Sequence, residues 1–211
     1  MTSASAARLA LSEAAIALIR HAESNNASGL PMPRPRILTN AMGASTDPAA
    51  WLREAALIRL VSVIEAYVDA VSMYRMNAVI GAGAPLVSLL VGDFERASNG
   101  SWGDRHDAYK RYHGISLRSL SGWQPINAGI HVRNCLLHGL GNLTARQRDM
   151  TTLAVSLKLI DVTIGGNRMH LSGSTVAKVA AGCEHFVGAL DAEVVPSLPA
   201  RSATPPPPPS I

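Results

Sequence analysis

Aromatic side chains are scarce in this chain: two Phe, four Tyr and three Trp, 4% of 211 residues. Its core must therefore be filled mostly by aliphatic side chains. Cysteine is rarer still. The two present, Cys135 and Cys183, cannot build a disulfide framework and neither belongs to a CxxC pair, so a reducing compartment is expected. No run approaches eighteen uninterrupted apolar residues, because charges or glycines break each candidate; no membrane association is expected and the chain reads as cytoplasmic. Met1 to Arg20 is amphipathic, unlike a basic stretch followed by an apolar core and a cleavage site, so no signal peptide is expected. There is no P-loop, no GxGxxG after a strand, no GxSxG elbow and no HExxH. These gaps disfavour ATP hydrolysis, dinucleotide-dependent redox chemistry and common serine hydrolysis, and no cofactor is expected.

What is present is a folding composition, 47% hydrophobic and only 16% charged, at a length that suits one domain with tails. The formal charge of +4 is modest but unevenly spread. From Arg96 to Arg148 there are eight basic residues against two acids, Asp104 and Asp107, so that segment carries +6 and the remainder −2. A basic segment suits a phosphate-bearing partner, although most basic stretches are only solvated surface.

The pattern along the chain is helical. A first helix is expected from about Ser3 to Glu23, then an Asn-, Gly- and Pro-rich loop with Pro31, Pro33 and Pro35. Asp47-Pro48 is a strong helix start. The helix it opens should run to about Ala78 and end at Gly81 and Gly83, with Leu57, Leu60, Val61, Ile64, Val68 and Val71 as a buried stripe and Ser62, Glu65, Asp69 and Ser72 as a polar one. Further helices are expected over Pro85–Ala97, Trp102–His113 and from Ser121 or Trp123 to His138, the last stopped by Gly139 and Gly141. Ser156–Ile164 and Arg168–Leu171, around Gly165-Gly166-Asn167, read as a β-hairpin. Ser172–Ser174 can cap a last helix over Thr175–Val194, and five consecutive prolines follow in the tail. The expected organisation is an N-terminal helix and Pro-rich loop at 1–46, a mainly α helical bundle with a small β-hairpin before the last helix at 47–195, and a disordered Pro-rich tail at 196–211.

Most of the chemistry gathers in Gly129-Ile130-His131-Val132-Arg133-Asn134-Cys135-Leu136-Leu137-His138-Gly139, at the end of an amphipathic helix. Arg133 is followed directly by a polar residue and, after four intervening positions, by His138. This resembles the signature of the HEPN superfamily (higher eukaryotes and prokaryotes nucleotide-binding). Tyr112–Ser119, Trp123, the hairpin and the helix behind it resemble the RiboL-PSP-HEPN branch, and Ile64-Glu65-Ala66-Tyr67 resembles the partner helix of such domains. The similarity extends over roughly Asp47 to Val194. It implies a helical domain that forms a homodimer, with two motifs facing each other in one composite site. It also implies a metal-independent endoribonuclease acting on RNA, in the setting of an RNA-targeting toxin with a cognate antitoxin or of a defence effector. A non-catalytic RNA-binding or protein-interaction module of the same type is the alternative.

The resemblance assigns His138 as general acid/base, Arg133 as phosphate stabiliser and Asn134 as an orienting residue. Those residue types suit the task. Histidine titrates near working pH, and the arginine fork matches phosphate oxygens. Arg133 and His138 lie five apart, about 140° round an ideal helix, so either Arg133 wraps round, the helix loosens, or Arg133 serves the opposite protomer. Glu65 is a candidate partner that would position Arg133, and His131 a supporting residue. No metal ligand is assigned, but His131, Cys135 and His138 at steps of four and three are competent ligands, with Cys183 or His185 as a conceivable fourth; a buried apolar Cys135 is the simpler reading. Glu65 and Asp69 could act as paired carboxylates in acid–base work but are more simply a solvated or salt-bridged face; His106 and His113 could line an RNA path but are more simply a plain amphipathic surface; and Trp102 and Trp123 could stack on a base but are more simply core or interface anchors.

Overall fold

Proline at the first helical position and aliphatic residues at three- and four-residue steps build the longest element. In the computed structural model, which describes residues 13–21, 23–24, 48–79, 92 and 100–194, this helix spans Pro48–Val79. The start of the first expected helix, the proline-rich loop, Asp47, Gly81, Gly83, nearly all of the helix expected over Pro85–Ala97 and the proline-rich tail lie outside the described residues. We label the helix at residues 13–21 α1 and Pro48–Val79 α2. At 1.5 Å per residue α2 is about 48 Å long. Leu57, Leu60, Val61, Ile64, Val68 and Val71 are fully buried along it. Ala56, Val63 and Tyr67 are buried as well, so α2 is covered on more than one side.

The other elements follow in chain order as α3 (Trp102–Ala108), α4 (Trp123–Gly139), α5 (Ala145–Arg148), α6 (Leu153–Lys158), β1 (Val162–Gly165), β2 (Arg168–Leu171) and α7 (Thr175–Val194). Helices α2, α4 and α7 pack on one another pairwise and form the centre of the fold. Glycine sets how closely they approach. A Cβ on Gly129 of α4 would lie 3.3 Å from Val179 of α7 and 3.6 Å from Val61 of α2. At the start of α4 the fit is tighter. A Cβ on Gly182 would lie 2.6 Å from Pro125 Cβ, and one on Gly122 (φ +82°) would overlap the Gly182 carbonyl oxygen.

α3 begins with a capping box: Ser101 N–H donates to Asp104 Oδ2 (2.6 Å) and Asp104 N–H to Ser101 Oγ (3.3 Å). The helix expected over Trp102–His113 is helical throughout but widens into a π-turn at Tyr109–His113, which Gly114 ends at φ +69°. Tyr109 is buried there and donates its hydroxyl to the Val68 carbonyl (2.6 Å).

The end of α4 differs by one position from the expected stop. Gly139 is still helical, Leu140 takes the left-handed cap conformation at φ +50°, and Gly141 follows at +88°. The Gly141 N–H reaches back to the Cys135 carbonyl at 3.1 Å, which closes the helix. The strand expected from Ser156 is also corrected, because Leu153–Lys158 is helix α6 and the strand occupies only Val162–Gly165. Leu153, Leu157 and Ile160 are the buried positions, and steps of four and three fit a helical turn against the core better than a strand. The hairpin is antiparallel, pairing Val162 with Leu171 and Gly165 with Arg168 across Gly166-Asn167. Residues after α4 add to it: Met169 N–H donates to the Gly141 carbonyl (3.0 Å) and Leu143 N–H to the Asn167 carbonyl (2.7 Å). The result is mainly helical, with a two-strand hairpin before the last helix. Among the described residues, no helix is long and apolar enough to cross a membrane.

Gly182→Ala should destabilise the fold by about 1–3 kcal/mol, the usual cost of overpacking. Gly188→Ala, on the exposed side of the same helix with nothing within 4 Å of the added methyl, should stabilise it by about 0.5–1 kcal/mol. Denaturant melts of the two variants check both signs.

Candidate functional site

Glu65 and Asp69 sit one turn apart on α2, and each faces an arginine from another helix. Asp69 accepts two parallel bonds from Arg105, Nε to Oδ1 and Nη2 to Oδ2, both at 2.8 Å. Arg105 also donates through Nη1 to the Gly100 carbonyl (2.7 Å), and its guanidinium lies 5.5 Å from the Trp102 ring centre. Glu65 Oε2 lies 3.5 Å from Arg133 Nη2. Ser72, the last residue of that polar stripe, is buried and bonds the His113 ring at 2.8 Å. Glu65, Asp69 and Ser72 of the stripe thus anchor α4, α3 and the π-turn. The Glu65–Asp69 couple does not act as paired carboxylates, since each is engaged by a different cation.

Glu65, Arg105 and Arg133 of these two ion pairs line a cleft of about 590 Å³. Its walls come from Glu65 of α2, residues 100–103 and Arg105 at the start of α3, Asn127, Ile130, His131, Arg133 and Asn134 of α4, and Thr144, Arg146 and Gln147 at α5. The α5 wall is fixed by one glutamine. Gln147 N–H donates to Thr144 Oγ1 (3.3 Å), its Oε1 accepts from Thr144 N–H (3.0 Å), and its Nε2 donates to the His131 carbonyl (2.7 Å). Gln147 is buried, so its side-chain amide docks a four-residue helix onto α4 and brings Arg146 beside His131. Half-burial, and then the charge of Arg146, hold the His131 imidazole below the ordinary histidine pKa. Arg133 Nε is buried with no hydrogen-bond partner among the described residues.

Arg133, Asn134, His131 and Glu65 thus share one cleft, and His138 does not line it. His138 is exposed near the end of α4, between the half-exposed Leu137 (46%) and Leu140 (50%). Arg133 turns toward Glu65 of α2, and His138, about 140° away round the helix, does not join it. The proposed metal ligands also separate. The Cys135 thiol is buried, donates to the Asn142 carbonyl (3.1 Å), and is pushed up to about 11 by burial. His185 is exposed, and burial raises the Cys183 thiol. Among the described residues no three His, Cys, Asp or Glu side chains meet as a metal site.

His106 and His113 are structural. His106 is buried edge-on against Trp123 (ring centres 4.5 Å apart), and Trp102 lies 5.3 Å from Trp123. Burial, helped by Arg118, lowers His106 to about 4. Burial, helped by Arg75, lowers His113 to about 4. Neither is a surface histidine as the amphipathic pattern suggested. Sequence spacing also missed Arg105, Arg146, Asn127 and Gln147 as cleft residues. The N-cap pattern Thr144-x-x-Gln147 was the one local signal that could have located α5. No protein-family model, no curated protein and no solved structure matches this chain.

Two outcomes follow from these environments. His106 and His113 bind protons more weakly folded than unfolded, so between pH 6.5 and about 4 the unfolded state takes up more protons. Stability should therefore fall as pH drops through that window, and His106→Leu with His113→Asn should flatten the slope in thermal melts. His131 should titrate below an ordinary histidine by NMR, and Arg146→Gln should move it upward.

Proposed function

We propose that the cleft beside Arg133 binds RNA and that the chain is a metal-independent endoribonuclease of HEPN type, working as a homodimer. The observation that carries this reading is the placement of Arg133, which enters the cleft beside Asn134 with Glu65 on one guanidinium nitrogen. A guanidinium fixed in this way is pre-organised for phosphate oxygens and for charge that grows on them. The cleft volume lies in the range of small-molecule and nucleotide-sized sites. Arg146 adds a second cation, and the +6 segment from Arg96 to Arg148 supplies most of the cleft's walls.

His138 would enter the reaction from outside the protomer's own cleft. Its exposed position between Leu137 and Leu140 is where a second copy could seat, so that each protomer offers its histidine to a shared site. The biological setting that fits is RNA-targeting defence or a toxin held by a partner antitoxin, on the resemblance alone. The same observation favours a second reading, in which the cleft binds RNA or a partner protein without cleaving it, because His138 does not reach it.

Purified protein in chelator should cleave RNA to cyclic-phosphate and 5′-hydroxyl ends. Arg133→Ala and His138→Ala should each lower the rate by about 10²–10³, the scale seen when a transition-state donor or a general acid is removed. A folded wild type that binds RNA and leaves it intact would favour the binding module. Cleavage that survives both substitutions would place the chemistry elsewhere.

A further inference from the structure

His131 lies in the cleft that His138 does not reach. α4 is a continuous α-helix from Trp123 to Gly139, so positions 127, 131, 134 and 138, at steps of four, three and four, form a single stripe. Asn127, His131 and Asn134 of that stripe line the cleft, and His138 continues it past the cleft's edge. His131 and His138 are two turns apart, about 10 Å along the axis, with Asn134 between them. Arg133 sits beside this stripe and reaches toward Glu65. In the shared site of the homodimer, a phosphate held by Arg133 and Asn134 would have His131 on its inner side and the second copy's His138 on its outer side.

Resting on the endoribonuclease reading, we propose that His131 is the general base of this site, leaving His138 the task of general acid. The other charged groups of the cleft are Glu65 on α2, Arg105 on α3, Arg133 on α4 and Arg146 on α5. Glu65 and Arg133 pair with each other, and Arg105 is engaged by Asp69. Half-burial first, and then the charge of Arg146, disfavour the protonated form of His131, so the imidazole is suited to accept a proton.

In the step, the ribose 2′-hydroxyl proton passes to His131 and the 2′-oxygen bonds to phosphorus. The bond from phosphorus to the 5′-oxygen breaks, and that oxygen takes a proton from the imidazolium of the second copy's His138. Exchange with water returns both histidines to their starting forms. Gln147 holds the backbone carbonyl of His131 and leaves the ring free, so replacing the side chain keeps that bond.

The test uses the full chain and two RNA substrates, one natural and one with sulfur in place of the 5′-bridging oxygen at the cleaved linkage. Sulfur leaves without a proton, so it bypasses the acid and not the base. His131→Gln should lower cleavage of both substrates by about 10²–10⁴ and remove the acidic limb of the kcat/KM pH profile. Added imidazole should restore part of the rate to His131→Ala. His138→Ala should lose the natural substrate and recover on the sulfur one. Unchanged thermal melts confirm that the variants fold. A His131→Gln enzyme with wild-type rates, or one rescued by the sulfur substrate, overturns the assignment while leaving the nuclease reading standing. A wild type that cleaves neither substrate overturns that reading, and the His131 assignment with it.

Discussion

Two carboxylates on one side of α2, Glu65 and Asp69, are taken largely out of water, and each needs a cation within reach. A half-buried carboxylate without a partner would take up a proton or destabilise its helix. The fold meets that demand from two directions. Arg105 arrives from α3 and Arg133 from α4, so the same two ion pairs that satisfy α2 also hold those helices beside it. The cleft is the space left between helices tethered in this way. Its chemistry follows from a packing requirement: guanidinium groups that a buried acid demands are also the groups that a phosphate recognises. The two pairs differ in how completely they are used. Arg105 spends a fork of two nitrogens on Asp69 and a third on a carbonyl, whereas Arg133 makes one longer contact with Glu65. Arg133 is the one with donors to offer.

The fold was legible where periodicity ran long. The aliphatic stripe of α2, the alternation that ends in α4 and the glycine-centred hairpin turn all carry many residues of consistent signal, and each stands where the pattern placed it. Short elements were not legible. α5 has four residues and α6 six, too few for a helical period to show, and the apolar residues of α6 blend into the strand that follows. The switch into a π-turn at Tyr109 is likewise a tertiary outcome, tied to the buried Tyr109 hydroxyl meeting the Val68 carbonyl.

The site divides along the same line. Arg133, Asn134 and His131 lie on one helix, so their shared neighbourhood could be read from spacing. Glu65 could be proposed because the polar stripe of α2 wanted a cation. Arg105 and Arg146 could not, since Arg105 meets a residue 36 positions earlier and Arg146 is delivered by a helix the sequence hid. His138 shows the limit of motif spacing. Its distance from Arg133 along the chain is fixed, yet the turn of the helix sends the two side chains to different sides, and only a second molecule or a bend could reunite them.

Gln147 gives the cleft a property beyond shape. Its amide and backbone bond Thr144 and the His131 carbonyl at once, and it is buried while doing so. A ligand entering the cleft therefore meets a wall already in place, and none of its interaction energy goes into ordering α5. Binding should then carry the thermodynamic mark of a rigid receptor: a heat-capacity change set by the surface the ligand covers, without the larger contribution that accompanies folding on contact.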